Sequence, residues 1–247
     1  MISPLGKWHP GVTMRDMDKT FTPILTAVLT PDGLHPTETA AASLQDAVRH
    51  EPEGVYTVTR TYNRTQALIL DAHLNRLAES ARLESIAMPY DQAAIRQALR
   101  TLIDLAGYPE SRFRITVPRE ADGSLYFALE PLQPIPAGVR RQGVHLQAFP
   151  TTRQNPAAKA TNWMAARSEI KALMAPDTYE GLLTNEAGEI LEGLSSNFYA
   201  IMDGKLYTAG NGILYGISRR IVLTVAPEVL PVHETPVRLA DLPQLQE

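Results

Sequence analysis

The chain has 247 residues, 44% of them apolar and 20% charged, with a net charge of −4 spread over mixed acidic and basic positions. That is enough chain and enough apolar content for one large domain or two compact ones, and it argues against disorder. No basic stripe marks a nucleic-acid or anionic-membrane partner, and the absence of cysteine excludes disulfides, thiolate catalysis and thiolate-bound metal groups.

No run of about 18 apolar residues exists, so no membrane span is expected. Residues 1–8 lack the basic stretch and apolar core of a signal peptide, so the expected location is the cytoplasm. Residues 24–30 form an apolar run ended by the turn signal Pro31-Asp32-Gly33, and residues 37–50 read as a helix. Residues 55–62 are rich in β-branched side chains and alternate, which predicts a strand, with residues 67–70 as the second arm of a hairpin. From Asp71 the period turns helical: Leu74, Leu77, Ala78 and Ala81 share a face and Asp71 is placed to cap the start. A second helix is expected over residues 91–106, stopped by Gly107, then a hairpin of residues 113–117 and 125–129 around Asp122-Gly123.

Pro131, Pro134, Pro136 and Gly138 mark a linker, which suggests domains over residues 1–132 and 138–247. Beyond it, residues 144–149, 180–184, 197–201 and 205–207 read as strands. Helices are expected over residues 164–174 and from Ile217 to a point before Pro227. Strands and helices that do not strictly alternate predict an α+β arrangement.

Several chemistries lack support. Gly210, Gly212 and Gly216 form no dinucleotide or P-loop fingerprint. The six histidines show no metal-ligand spacing. Ser195-Ser196 lacks the Gly-x-Ser-x-Gly frame of a nucleophile elbow.

Three segments stand out together. The first is His73-Leu74-Asn75-Arg76-Leu77, which follows a strand bearing Tyr56 and Arg60. The second is Lys159-Ala160-Thr161-Asn162-Trp163. The third runs Leu191-Glu192-Gly193-Leu194-Ser195-Ser196-Asn197-Phe198 and is followed by Leu214-Tyr215-Gly216-Ile217-Ser218-Arg219. Their order and spacing resemble the class IV aminotransferases, the pyridoxal 5′-phosphate (PLP) enzymes of fold type IV. That family includes branched-chain aminotransferases, D-amino-acid aminotransferases and 4-amino-4-deoxychorismate lyase. The resemblance runs from Gly54 to the C-terminus.

The resemblance implies two domains of the D-amino-acid aminotransferase type, a smaller N-terminal and a larger C-terminal PLP-binding one, with PLP between them. It also implies a homodimer acting on a small amino acid and keto acid. Lys159 stands where the family has the lysine that holds the cofactor. An amine with an ordinary pKa near 10.4 must be desolvated or set beside positive charge to act near neutral pH. Glu192 matches the carboxylate facing the pyridine nitrogen, where it keeps that nitrogen protonated. Arg76 matches the arginine that grips the phosphate through paired hydrogen bonds. Gly216, Ile217 and Ser218 match a phosphate-binding turn at a helix start, where free N–H groups and the dipole favour an anion. Leu214 is placed against the cofactor ring, with Ser195 and Ser196 as further cofactor contacts.

Tyr56 and Arg60 lie on the strand that the resemblance makes the substrate face. Arg114 is read either as a substrate-carboxylate residue or as an outward-facing strand residue. Threonine at position 57, where transaminases of this family carry glutamate, keeps the lyase open beside the transaminase as the activity. The resemblance also implies a further strand and a hydroxyl-rich turn beyond residues 242–247.

Overall fold

The computed structural model describes residues 24–38, 41–120, 122–153 and 156–246; residues 1–8, read above for targeting signals, lie outside them. The chain divides into two compact units at Pro134/Ile135, inside the proline-bearing stretch, and the second unit is the shorter.

The first unit is built on one antiparallel sheet. Its strands are β1 (Leu25–Thr30), β2 (Gly33–Thr37), β3 (Gly54–Arg60), β4 (Ser111–Pro118) and β5 (Leu125–Pro131), in the order β2-β1-β5-β4-β3. Val55, Phe113, Ile115, Val117, Leu125 and Leu129 are fully buried, the expected outcome of β-branched and aromatic residues on a covered sheet. α2 (Leu70–Leu83) packs on β3, and α3 (Gln92–Ala106) on β1 and β5. The caps of α3 are those the sequence signals: the Asp91 carboxylate accepts from the Ala94 N–H at 2.8 Å, and Gly107 ends the helix at φ 64°.

Three expectations for this unit change. Residues 37–50 are not one helix. Gly33 takes φ 132° and closes a two-residue turn, so the following residues pair with β1 in the register Thr30↔Gly33 to Thr26↔Thr37. Only α1 (Leu44–Ala47), capped by the Ser43 side chain, and a single 3-10 turn remain helical; residues 39–40 lie outside the described set. Residues 67–70 make no hairpin arm. The chain instead closes through a bridge between Tyr62 and Gln66, and Ile69 turns left-handed at φ 42° directly into α2. Asp71 is not the cap of that helix. It sits in the first turn and pairs with Arg96 of α3.

The second unit begins with α4 (Ala137–Gln142), a short helix inside the stretch read as linker. Next come β6 (His145–Phe149), α5 (Asn162–Ala172), β7 (Thr178–Thr184) and β8 (Ile190–Gly193). They are followed by β9 (Ala200–Met202), β10 (Lys205–Tyr207), α6 (Ile217–Val225) and β11 (Val232–His233). These strands form two three-stranded sheets, β6-β7-β8 and β11-β10-β9. β6 and β7 are parallel, so the chain must cross over between them, and α5 supplies the crossover. Largely antiparallel sheets with two parallel pairs, β6 with β7 and β10 with β11, and helices that do not strictly alternate with the strands make the chain α+β, as expected.

Candidate active site

In the second unit the crossover and β8 deliver the residues singled out from sequence. β8 pairs antiparallel with β7, Leu183 opposite Glu192, and all four of its residues are buried. Glu192 is only 3% exposed. One carboxylate oxygen accepts from the Leu214 N–H at 3.1 Å. The other is buried and accepts no hydrogen bond among the described residues; the Arg153 guanidinium lies 4.0 Å from it. Burial pushes the Glu192 pKa up to about 7, against the pull of Arg153, the Leu214 N–H and Lys159.

Lys159 is half-buried in the loop before α5, and its charge acts on Glu192. Three residues later α5 begins, and its Trp163 donates from the indole nitrogen to the Leu194 carbonyl at 3.1 Å. The lysine-bearing crossover is thereby tied to the end of β8.

Leu214 is held at both backbone groups. Its N–H goes to Glu192, and its carbonyl accepts from the Asn197 side-chain amide at 2.8 Å. Gly216, whose N–H donates back to the Leu214 carbonyl at 2.8 Å, then opens α6 with no side-chain cap, so the N–H groups that follow it in the first turn suit an anion. A Cβ on Gly216 would collide with Asn197 Oδ1, which is why glycine stands there. Ile217 is buried and Ser218 exposed. Ser195 and Ser196 are exposed, and the Ser195 hydroxyl donates to Glu180 at 2.6 Å.

The first unit carries the remaining residues. Arg76, on α2, donates to the Thr57 hydroxyl of β3 at 3.2 Å, and the same hydroxyl lies 3.1 Å from His73 Nδ1. Thr57 is fully buried, so it fixes the arginine from below. Tyr56 is buried beside it. Arg60 is half-exposed, bonds Glu110 at 2.5 Å and lies over the Tyr62 ring. Arg114 requires correction. It is 2% exposed, its guanidinium grips Glu51 through two nitrogens, and a third donates to the Leu44 carbonyl. Every end of the fork is occupied, so it is neither outward-facing nor open to a substrate carboxylate.

Sequence reading missed Arg153, Asn197 and His73 as parts of these constellations, and noted Thr57 only for its bearing on the activity, not as the partner of Arg76. Asn197 and His73 lie within the quoted motifs but bear no periodic signal of their role. Arg153 lies six residues before Lys159 in a loop, where no pattern distinguishes a buried arginine from a solvated one.

The groups present fit PLP. A buried carboxylate oxygen without a donor suits a protonated ring nitrogen, and an uncapped helix start suits a phosphate. Among the described residues no group of three or more ligating side chains is placed to hold a metal, and no helix is long and apolar enough to cross a membrane.

The architecture is that of fold type IV transaminases. A crystal structure of a putative branched-chain amino acid aminotransferase from Thermotoga maritima matches with a TM-score of 0.71 at 24% identity, covering 89% of this chain and 80% of that one. The chain belongs to the class IV aminotransferase family, whose model, Amino-transferase class IV, matches residues 54–247. It is an aminotransferase of this PLP-dependent class. The putative branched-chain-amino-acid aminotransferase of Methanocaldococcus jannaschii is 26% identical over 207 residues, covering 77% of this chain and 71% of its own length. The D-alanine aminotransferase of Listeria monocytogenes is 26% identical over 239 residues, covering 89% and 81%.

Proposed function

We propose that this chain holds PLP through Lys159 and transfers an amino group between a small amino acid and a 2-keto acid. The observation that carries this reading is the buried Glu192 carboxylate, with one oxygen fixed by Leu214 and the other lacking a donor. Bound PLP supplies a sink for the electron pair left on the substrate's α-carbon. Glu192 faces the ring nitrogen and yields its proton there, since a cation opposite it offsets the burial that raises its pKa. Lys159 anchors the cofactor and, once displaced, moves the α-proton on its Nζ. Leu214 lies against the ring, and the turn at Gly216, whose own N–H is spent on the Leu214 carbonyl, offers the N–H groups of Ile217 and Ser218 to the phosphate; Arg76 is the phosphate arginine that the family resemblance implies. Ser195 and Ser196 border the cofactor. Tyr56 and Arg60 belong to the substrate side. The functional form is a cytoplasmic homodimer, for which sedimentation of the purified protein is the check.

The test is the visible spectrum of protein supplied with PLP, beside Lys159→Ala, before and after amino donors. The expected result is a lysine-dependent band that amino acids bleach to the pyridoxamine form with release of keto acid. Absence of the band in the wild type overturns the cofactor reading. A band that no amino acid bleaches, together with pyruvate release from 4-amino-4-deoxychorismate, replaces the transaminase with the lyase.

A further inference from the structure

We propose that Arg153 is a positioning residue for the cofactor. Its buried guanidinium holds Glu192 as a carboxylate directed to the ring nitrogen, and it ties the Lys159-bearing loop to β8. The inference rests on the PLP reading above and extends it to a residue outside the motifs that define the family resemblance.

The geometry is a closed circuit. Arg153 is 7% exposed, and its NH1 lies 4.0 Å from Glu192 Oε1. Its NH2 donates to the Ala158 carbonyl at 3.3 Å, next to Lys159. The guanidinium carbon lies 5.0 Å from the centre of the Trp163 ring. Trp163 in turn donates to the Leu194 carbonyl, two residues beyond Glu192. A planar cation can stack on an indole and present its edge to a carboxylate at the same time, which an ammonium cannot do. At 4.0 Å the arginine makes no hydrogen bond to Glu192, so that oxygen's lone pairs stay open for the ring nitrogen while the charge acts across the gap.

The charged groups acting on Glu192 are Arg153, from the loop after β6, and Lys159, from the loop before α5, besides the Leu214 N–H ahead of α6. Burial alone favours the neutral acid, a form that cannot pair with a pyridinium. Lys159 is not a lasting counter-charge, because it must become a neutral amine to hold the cofactor. Arg153 stays charged at every accessible pH and is the permanent member of the set.

The test is the PLP dissociation constant from pH 5.5 to 9, by equilibrium dialysis, for wild type, Arg153→Gln, Arg153→Lys, Glu192→Gln and the Arg153→Gln/Glu192→Gln pair. Arg153→Gln keeps a donor for the Ala158 carbonyl and removes the charge. Its acid limb, where affinity falls as Glu192 protonates, is expected to move up by about one pH unit, a roughly tenfold weakening on that limb. Arg153→Lys restores most of the limb. In the Glu192→Gln background the same arginine substitution changes affinity by less than about twofold, because the two mutations remove one interaction. A purely structural arginine weakens binding equally at all pH values and with either replacement, and that outcome overturns the proposal. So does an Arg153→Gln limb that coincides with the wild type. Wild-type protein that binds no PLP at any pH overturns the cofactor reading instead, which separates the two failures.

Discussion

Glu192 and Arg114 are both buried charges, and their surroundings give them opposite consequences. Glu192 is only partly compensated and its pKa rises from 4.5 to about 7, so between those values the native cofactor-free protein keeps a proton that the unfolded chain has lost. Its contribution therefore stabilises the protein less and less as pH rises through that window, because the native state binds more protons there. At 1.36 kcal/mol per pH unit the window is worth roughly 3 kcal/mol as an upper figure. Glu192→Gln is expected to flatten the fall of the melting temperature of cofactor-free protein between pH 5 and 8. An unchanged slope shows that Glu192 is solvated. Arg114 is fully matched by Glu51 and the Leu44 carbonyl, with Thr116 also donating to Glu51 at 2.6 Å. Arg114→Met strands that carboxylate and is expected to cost about 3–5 kcal/mol of stability, read by denaturant unfolding, with the KM for amino donor unchanged in the folded fraction. At this scale Lys159, Glu192 and Arg76 stand out in the sequence because each sits in a recognisable run. Arg114 was misread because burial of an arginine on a strand depends on Glu51, 63 positions away, which no local pattern announces.

The element that organises the second unit is β8 with the loop it commands. Glu192 and Asn197 form a backbone bridge, and their side chains seize the two ends of the Leu214 peptide groups just before α6. This sets where the open N-terminal turn of α6 begins. Asn197→Ala removes one of the two donors to the Leu214 carbonyl, leaving the Gly216 N–H, and is expected to weaken PLP binding by about tenfold, the effect of one lost hydrogen bond plus a loosened turn. Gly216→Ala, whose methyl meets Asn197, is expected to weaken it further. Isothermal titration of the two variants checks the order, and equal affinity to wild type removes this loop from the phosphate site. The helices α2, α3, α5 and α6 were readable because amphipathic spacing and caps are local signals, as Asp91 and Gly107 show for α3. Residues 37–50 were not, since the hairpin across the Pro31-Asp32 turn carries β2 through Thr37, and only the short stretch capped by Ser43 goes on to form a helix.

Across the whole chain, proline clustering marks the break between an antiparallel-sheet unit and a unit of two small sheets. A ligand that binds only the folded state raises stability by RT ln(1 + [L]/Kd), about 2.7 kcal/mol at a hundredfold excess over Kd. PLP is therefore expected to raise the melting temperature of the wild type, and Lys159→Ala is expected to lose most of that rise. The family was legible because three motifs occur in one order; the substrate was not, because its selection depends on side-chain placement rather than on those motifs. The most direct measurement is a single half-reaction: PLP-loaded protein mixed with one equivalent of an amino donor, in the absence of keto acid, with both products quantified. The account predicts one pyridoxamine 5′-phosphate formed for each keto acid released, and no conversion in Lys159→Ala. A protein that keeps its PLP unchanged across a panel of D- and L-amino acids contradicts it.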